Sequence, residues 1–172
     1  MKYVKQTVNR LPYFIAAIFC AFCCGVLFTW SYFREPLCQV FPDWTTSNLS
    51  LVFSVHNATV CIFMLISGVL VKRVPSRIMF FLGALLVGLG LGSFPLLPQD
   101  NPGLALALAV LFYGVIAAAG IGLMGVLIFS IFLLWAPERP GLLSGFMFLA
   151  NGACALIMGA LSSKLIPVIG IL

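Results

Sequence analysis

Five long apolar stretches with no charged side chain in their middle dominate this chain. They run from about Leu11 to Phe33, Asn48 to Val71, Ile78 to Leu97, Leu104 to Trp135 and Gly141 to Leu165. A hydrocarbon core about 30 Å thick is crossed by roughly 20 helical residues, and each run reaches that length. Charges and turn residues separate them: Arg34-Glu35-Pro36, Lys72-Arg73, the Pro98 to Pro102 segment, and Ala136 to Pro140, with Pro167 just beyond the last. Barrel strands alternate over about ten residues, so these longer continuous runs exclude a membrane barrel. Of 172 residues, 63% are hydrophobic and 8% charged. Ordinary soluble domains hold roughly 45–50% apolar and about 25% charged residues, which excludes a soluble enzyme, a disordered tail or a nucleic-acid-binding domain. The nine basic residues flank the apolar runs, as membrane-anchoring charges do, so no nucleic-acid partner is expected. The lipid bilayer is the expected surrounding of a single all-α transmembrane domain over residues 1–172.

Lys and Arg set the orientation. With a cytoplasmic N-terminus, Lys2, Lys5, Arg10, Lys72, Arg73, Arg77 and Arg139 lie inside, and Arg34 and Lys164 lie outside. That asymmetry predicts a multi-pass protein of the cell membrane, N-terminus in and C-terminus out. The fourth run is too short for two spans, which need about 40 residues plus a turn, so it reads as one tilted or bent helix. The bend is expected at Ala117-Ala118-Ala119-Gly120-Ile121-Gly122. The first run is longer than the apolar core of a signal peptide and lacks a small-residue cleavage site, so it reads as a span.

No Asp, Glu, Lys or Arg falls in mid-span, and the four acids Glu35, Asp43, Asp100 and Glu138 are all in loops. Ionisable groups at depth usually mark relays, ion pathways or catalysis. Their absence here argues against a membrane enzyme and against an ionisable coupling site within the chain. The polar groups at depth are His56 and Asn57, with Ser54 and Thr59 beside them, and Asn151 in the fifth run; Thr29, Trp30, Ser31 and Tyr32 end the first. Such groups either line a wet cavity or join helices by hydrogen bonds worth about 0.6–2 kcal/mol each. Cys20-x-x-Cys23-Cys24 has metal-like spacing but lies in an apolar helix without a nearby His, where Cys acts as a small hydrophobe. No metal or other cofactor is expected. The third run carries Gly83, Gly88, Gly90 and Gly92, and the fourth Gly114, Gly120, Gly122 and Gly125, a small-residue pattern that allows close helix contact. Of two glycosylation-type sequons, Asn57 is too deep to be modified, and Asn48 sits where it or Ser47 can cap a helix.

Three loop and helix strings resemble the major facilitator superfamily. Gly68-Val-Leu-Val-Lys-Arg-Val-Pro-Ser-Arg77 is similar to its loop between helices two and three: Gly68, Leu70, Arg73 and Arg77 match, while Lys72 and Pro75 stand where the family has Asp and Gly. Trp135-Ala-Pro-Glu-Arg-Pro-Gly141-Leu-Leu-Ser-Gly145 resembles the stretch joining helices four and five of the oxalate–formate antiporter and monocarboxylate-transporter branches. Trp135, Pro137, Gly141 and Gly145 match, and Arg139 is one place early. Gly25-Val-Leu-Phe-Thr-Trp30-Ser-Tyr-Phe33 looks like the helix-one pattern of that branch, and Gly120-Ile-Gly122 like the Gly-rich centre of helix four. The resemblance implies a fold of helices one to five, with Phe28, Tyr32, His56, Asn57, Met124 and Asn151 turned toward a central substrate cavity.

It further implies secondary active transport of a small organic anion, of monocarboxylate or oxalate/formate type, by alternating access. Two six-helix halves make the family's transporter, each built from two three-helix repeats. Five helices supply neither rocking bundle pair, so the missing C-terminal half or a second copy of the chain is the implied partner. The alternative expectation is a truncated or remnant membrane protein without transport activity, acting as an interaction subunit.

Overall fold

The computed structural model describes residues 11–25, 30–31, 34, 37–38, 41–98, 100–135 and 140–169. Among these every regular element is helical. The order is α1 (Leu11–Cys24), α2 (Thr46–Leu70), α3 (Ser76–Gly92), a 3-10 turn (Phe94–Leu96), α4 (Pro102–Ala109), a π-helical segment (Val110–Ala117), α5 (Ala118–Trp135) and α6 (Pro140–Ile169). Three stretches are long and apolar enough to cross a membrane: Thr46–Leu70, Pro102–Ser130 and Pro140–Leu161.

Local chemistry sets the ends. Thr45 is extended, and its Oγ1 accepts a hydrogen bond from the Asn48 amide at 3.3 Å, so the cap of α2 falls earlier than Ser47 or Asn48. Asn101 caps α4 in the same way, its Oδ1 accepting from the Leu104 amide at 3.3 Å, with Pro102 in the first turn where a missing N–H costs nothing. The turn after α2 is closed by the Arg73 and Val74 amides, both 2.8 Å from the Leu70 carbonyl, before Pro75 starts α3. α3 stops at Gly92 and gives way to the 3-10 turn around Pro95, short of the Leu97 expected from hydropathy. Its 17 residues are about 25 Å long, less than a full crossing.

The fourth run is one rod over 102–135, and its irregularity lies before the small-residue stretch. Val110–Ala117 is π-helical, whereas Ala118–Trp135 is regular α-helix. The small residues serve close packing instead. A Cβ on Gly120 would lie 2.5 Å from the Gly83 carbonyl of α3, and one on Gly122 would lie 2.8 Å from the Val60 carbonyl of α2. Two residues apart on a helix point to nearly opposite sides. α5 is thereby wedged between α2 and α3, and α1 pairs with α6.

The outward faces are apolar: Phe19, Leu65, Phe148 and Leu156 are each at least 65% exposed. That exterior fits a hydrocarbon surrounding. At one end of the bundle Trp30, Leu37, Phe41 and Trp44 bury themselves against Leu49, Val52, Ala105 and Tyr113. Deeper along α5, Leu123 and Leu127 pack on Met79, while Ile128 packs with Ala21, Met147 and Ala150.

Candidate functional site

His56 is the most deeply buried of the polar residues singled out in the sequence, 1% exposed. It projects from the middle of α2 onto the π-helical segment. Its Nδ1 lies 2.9 Å from the Tyr113 carbonyl oxygen. A carbonyl can only accept, so Nδ1 carries the proton and donates. The imidazole also stacks on the Tyr113 ring, centroids 4.5 Å apart at 27°. Trp30 stacks on Tyr113 in turn, at 4.4 Å and 23°, and its Nε1 donates to the Leu49 carbonyl at 3.2 Å. Three rings from three parts of the chain thus lie in contact, tied to backbone at both ends. π-Helical turns recur at functional sites, and here one meets a buried titratable ring.

Phe41 and Trp44 belong to the same buried cluster as Trp30 and Tyr113. Phe41 and Trp44 stack at 4.4 Å, and Trp44 Nε1 donates to the Pro102 carbonyl at 2.9 Å, joining the first loop to the start of α4. Arg34 reaches the first turns of α2, donating to Ser50 Oγ at 3.1 Å and to the Thr46 carbonyl at 3.3 Å.

The other sequence-derived candidates separate. Asn57 lies on the exposed side of α2, its amide donating to the Phe53 carbonyl of its own helix at 2.9 Å, away from the His56 contact. Ser54 and Thr59 likewise bond back to Ser50 and Val55. Met124 is half-buried, with its Cγ against Gly83 of α3, and serves packing. Asn151 sits on α6 beside Gly25, and its Oδ1 is buried without a partner. His56 Nε2 is in the same condition. Gly68, Gly141 and Gly145 have open space where a side chain would be, and Arg73 and Arg77 are exposed. Phe28, Tyr32 and Pro137 lie outside the described residues, as does the side chain of Trp135.

Two residues that the sequence reading passed over matter here. Tyr113 supplies both the carbonyl and the ring for His56. Ser67 is fully buried in α2 and donates to the Leu123 carbonyl at 2.8 Å, a second polar tie between α2 and the fourth run. Their signal was weak: a hydroxyl inside an apolar run, with nothing nearby in sequence to say which way it points. Among the described residues no group of three or more His, Cys, Asp or Glu side chains could hold a metal ion. No protein family, curated protein or solved structure matches the chain.

Proposed function

We propose that this chain is the N-terminal helical part of a secondary transporter, moving a small organic anion by alternating access together with helices it does not itself contain. In this reading all five apolar runs are spans, and the protein is multi-pass in the cell membrane with its N-terminus cytoplasmic. The ordered motif strings from Gly25 to Gly145 support it from the sequence side.

One structural observation carries it: the same helix crossing occurs twice. A Cβ on Gly25 would meet the Asn151 carbonyl oxygen at 2.6 Å and Cys154 Cβ at 2.7 Å. A Cβ on Gly122 would meet the Val60 carbonyl oxygen at 2.8 Å and Phe63 Cβ at 2.6 Å. Each glycine lands on the carbonyl of one residue and the Cβ of the residue three further on. The sequence keeps the same register around both crossings. Ala21 precedes Gly25 by one helical turn, as Ala118 precedes Gly122. Five residues past Val60 stands Leu65-Ile-Ser-Gly68-Val-Leu70, and five past Asn151 stands Leu156-Ile-Met-Gly159-Ala-Leu161. The first run therefore corresponds to the fourth, and the second to the fifth. Repeats of three helices are how many secondary transporters are built, with solute sites between the repeats.

Uptake of radiolabelled oxalate, formate or lactate into vesicles reconstituted at a density at which a second copy of the chain can supply the partner helices tests the reading. His56→Ala and Asn151→Ala are expected to lower uptake. No uptake, or uptake unchanged in both variants, favours the interaction-subunit alternative instead.

A further inference from the structure

α2 carries two different outward faces. Leu51, Ile62, Leu65 and Val69 are exposed and suit hydrocarbon. Beside them runs a polar seam. Ser50, Ser54, Asn57 and Cys61 are all exposed, and one heptad past Cys61 stands Gly68, with open space where a side chain would be. Asn57 gives one amide hydrogen to Phe53, and its exposed carboxamide still has an oxygen and a second N–H to offer. Hydrocarbon cannot satisfy such a group, so a polar seam at membrane depth calls for another helix. α6 carries a matching surface. The offset that takes Val60 to Asn151 also takes Ser50, Ser54, Asn57 and Cys61 to Gly141, Gly145, Phe148 and Gly152. These are exposed too, and a Cβ on any of the three glycines would meet nothing within 4 Å. Both seams alternate steps of four and three residues, the period of about 3.5 residues at which helices pack with a shallow left-handed crossing.

We propose that the polar seam of α2 docks on the glycine seam of α6 in a second copy of this chain, antiparallel, with Asn57 opposite Gly152. The same register sets Cys61 against Phe148 and Gly68 against Gly141. Each bulky side chain thus meets a small residue, and the last two glycines bring the backbones close. Gly152 leaves helix backbone uncovered, and its carbonyl oxygens accept the free N–H of Asn57. The occupant is a second copy because both halves of the contact lie on one chain. Inverted repeats are related by a two-fold axis in the membrane plane, and equivalent residues project equally along such an axis, so both seams open to one side. A two-fold dimer then pairs α2 with α6 twice and leaves neither seam uncovered. Pairing α2 with its own copy leaves the α6 glycines bare. This rests on the transport reading and names its partner: the second copy supplies the helices that alternating access needs.

Cys61 is a built-in reporter of this contact. The full chain is reconstituted in bilayers with Cys61 kept, the other cysteines replaced by Ala, and Phe148→Cys added. A short bis-thiol cross-linker is expected to give a covalent dimer, and either thiol alone to give none. Dimers through Cys61 alone mean that α2 meets its own copy, and overturn the proposal. So does the absence of a cross-link with both thiols present. A second measurement leaves the cysteines in place and reads self-association by energy transfer between labelled copies in bilayers. Gly145→Ile enters open space within the chain, so thermal stability should stay as it is while association falls about tenfold or more. Association that survives Gly145→Ile but is lost in Gly88→Ile, at an open glycine of α3, puts the interface on α3 and overturns the proposal. An unmodified chain that stays single does the same. Uptake separates this from the parent reading: a dimer of this register without uptake keeps the interface and removes the transporter, and uptake by a single chain does the reverse.

Discussion

The two glycine crossings share a backbone contact and differ in the polar groups described around it. Where α2 meets the fourth run, the Gly122 contact is flanked on both sides. His56 donates to Tyr113 one turn before Val60, and Ser67 donates to Leu123 one turn after Phe63. Where α1 meets α6, the equivalent contact at Gly25 has an unpartnered Asn151 oxygen beside it. Between helices in lipid there is no hydrophobic drive to associate, so close packing of small residues does the general work and hydrogen bonds make one crossing differ from another. The comparison separates what the two crossings share, a small residue at the contact, from what differs between them, the polar groups around it.

The largest effect is expected at the glycines. Gly122→Val forces a branched side chain into the Val60 carbonyl and Phe63, at a cost of about 3 kcal/mol, read as lowered thermal stability in detergent. Gly25→Val should cost the same within a factor of two, since Asn151 and Cys154 stand in equivalent places. A silent Gly25→Val beside a damaging Gly122→Val breaks the equivalence of the two crossings.

The polar ties come next. His56→Phe keeps the stack but strips the Tyr113 carbonyl of its donor, with an expected loss of about 1–2 kcal/mol. Ser67→Ala should cost less, about 0.6–1 kcal/mol, as one hydrogen bond between helices in a membrane usually does. If His56→Phe costs nothing in unfolding titrations, the asymmetry between the crossings lies elsewhere.

The smallest effect belongs to Asn151→Leu. Its carboxamide oxygen is already unpaired, so an apolar side chain of similar size should leave stability unchanged or raise it slightly, by about 0.5 kcal/mol. A loss above 1 kcal/mol in the same titration would mean that Asn151 has a polar role in the fold.

Much of the helical plan was legible because apolar runs and their breakers act locally. Lys72-Arg73 and Pro75 end α2 and begin α3, and Asn101-Pro102 opens the fourth run, as their chemistry predicts. The site was only half legible. His56 and Asn151 stood out as polar groups at depth, but nothing in the sequence distinguished them from Asn57, which satisfies itself on its own helix. A polar residue next to another in sequence points about 100° away from it on a helix, so neighbours such as His56 and Asn57 share no face. The small residues from Ala117 to Gly122 suggest a bend equally well as a tight contact, and only the presence of Gly83 and Val60 against them decides for contact.

The sequence by itself determined that the chain is helical, apolar on its outside and without charge at depth, because these follow from side-chain composition along one dimension. Tertiary structure alone decided that Tyr113 and Trp30 join His56, that the proton sits on Nδ1, and that Nε2 is left without a donor. Those facts depend on which helix faces which, and on a π-helical segment that brings a particular carbonyl to a particular ring.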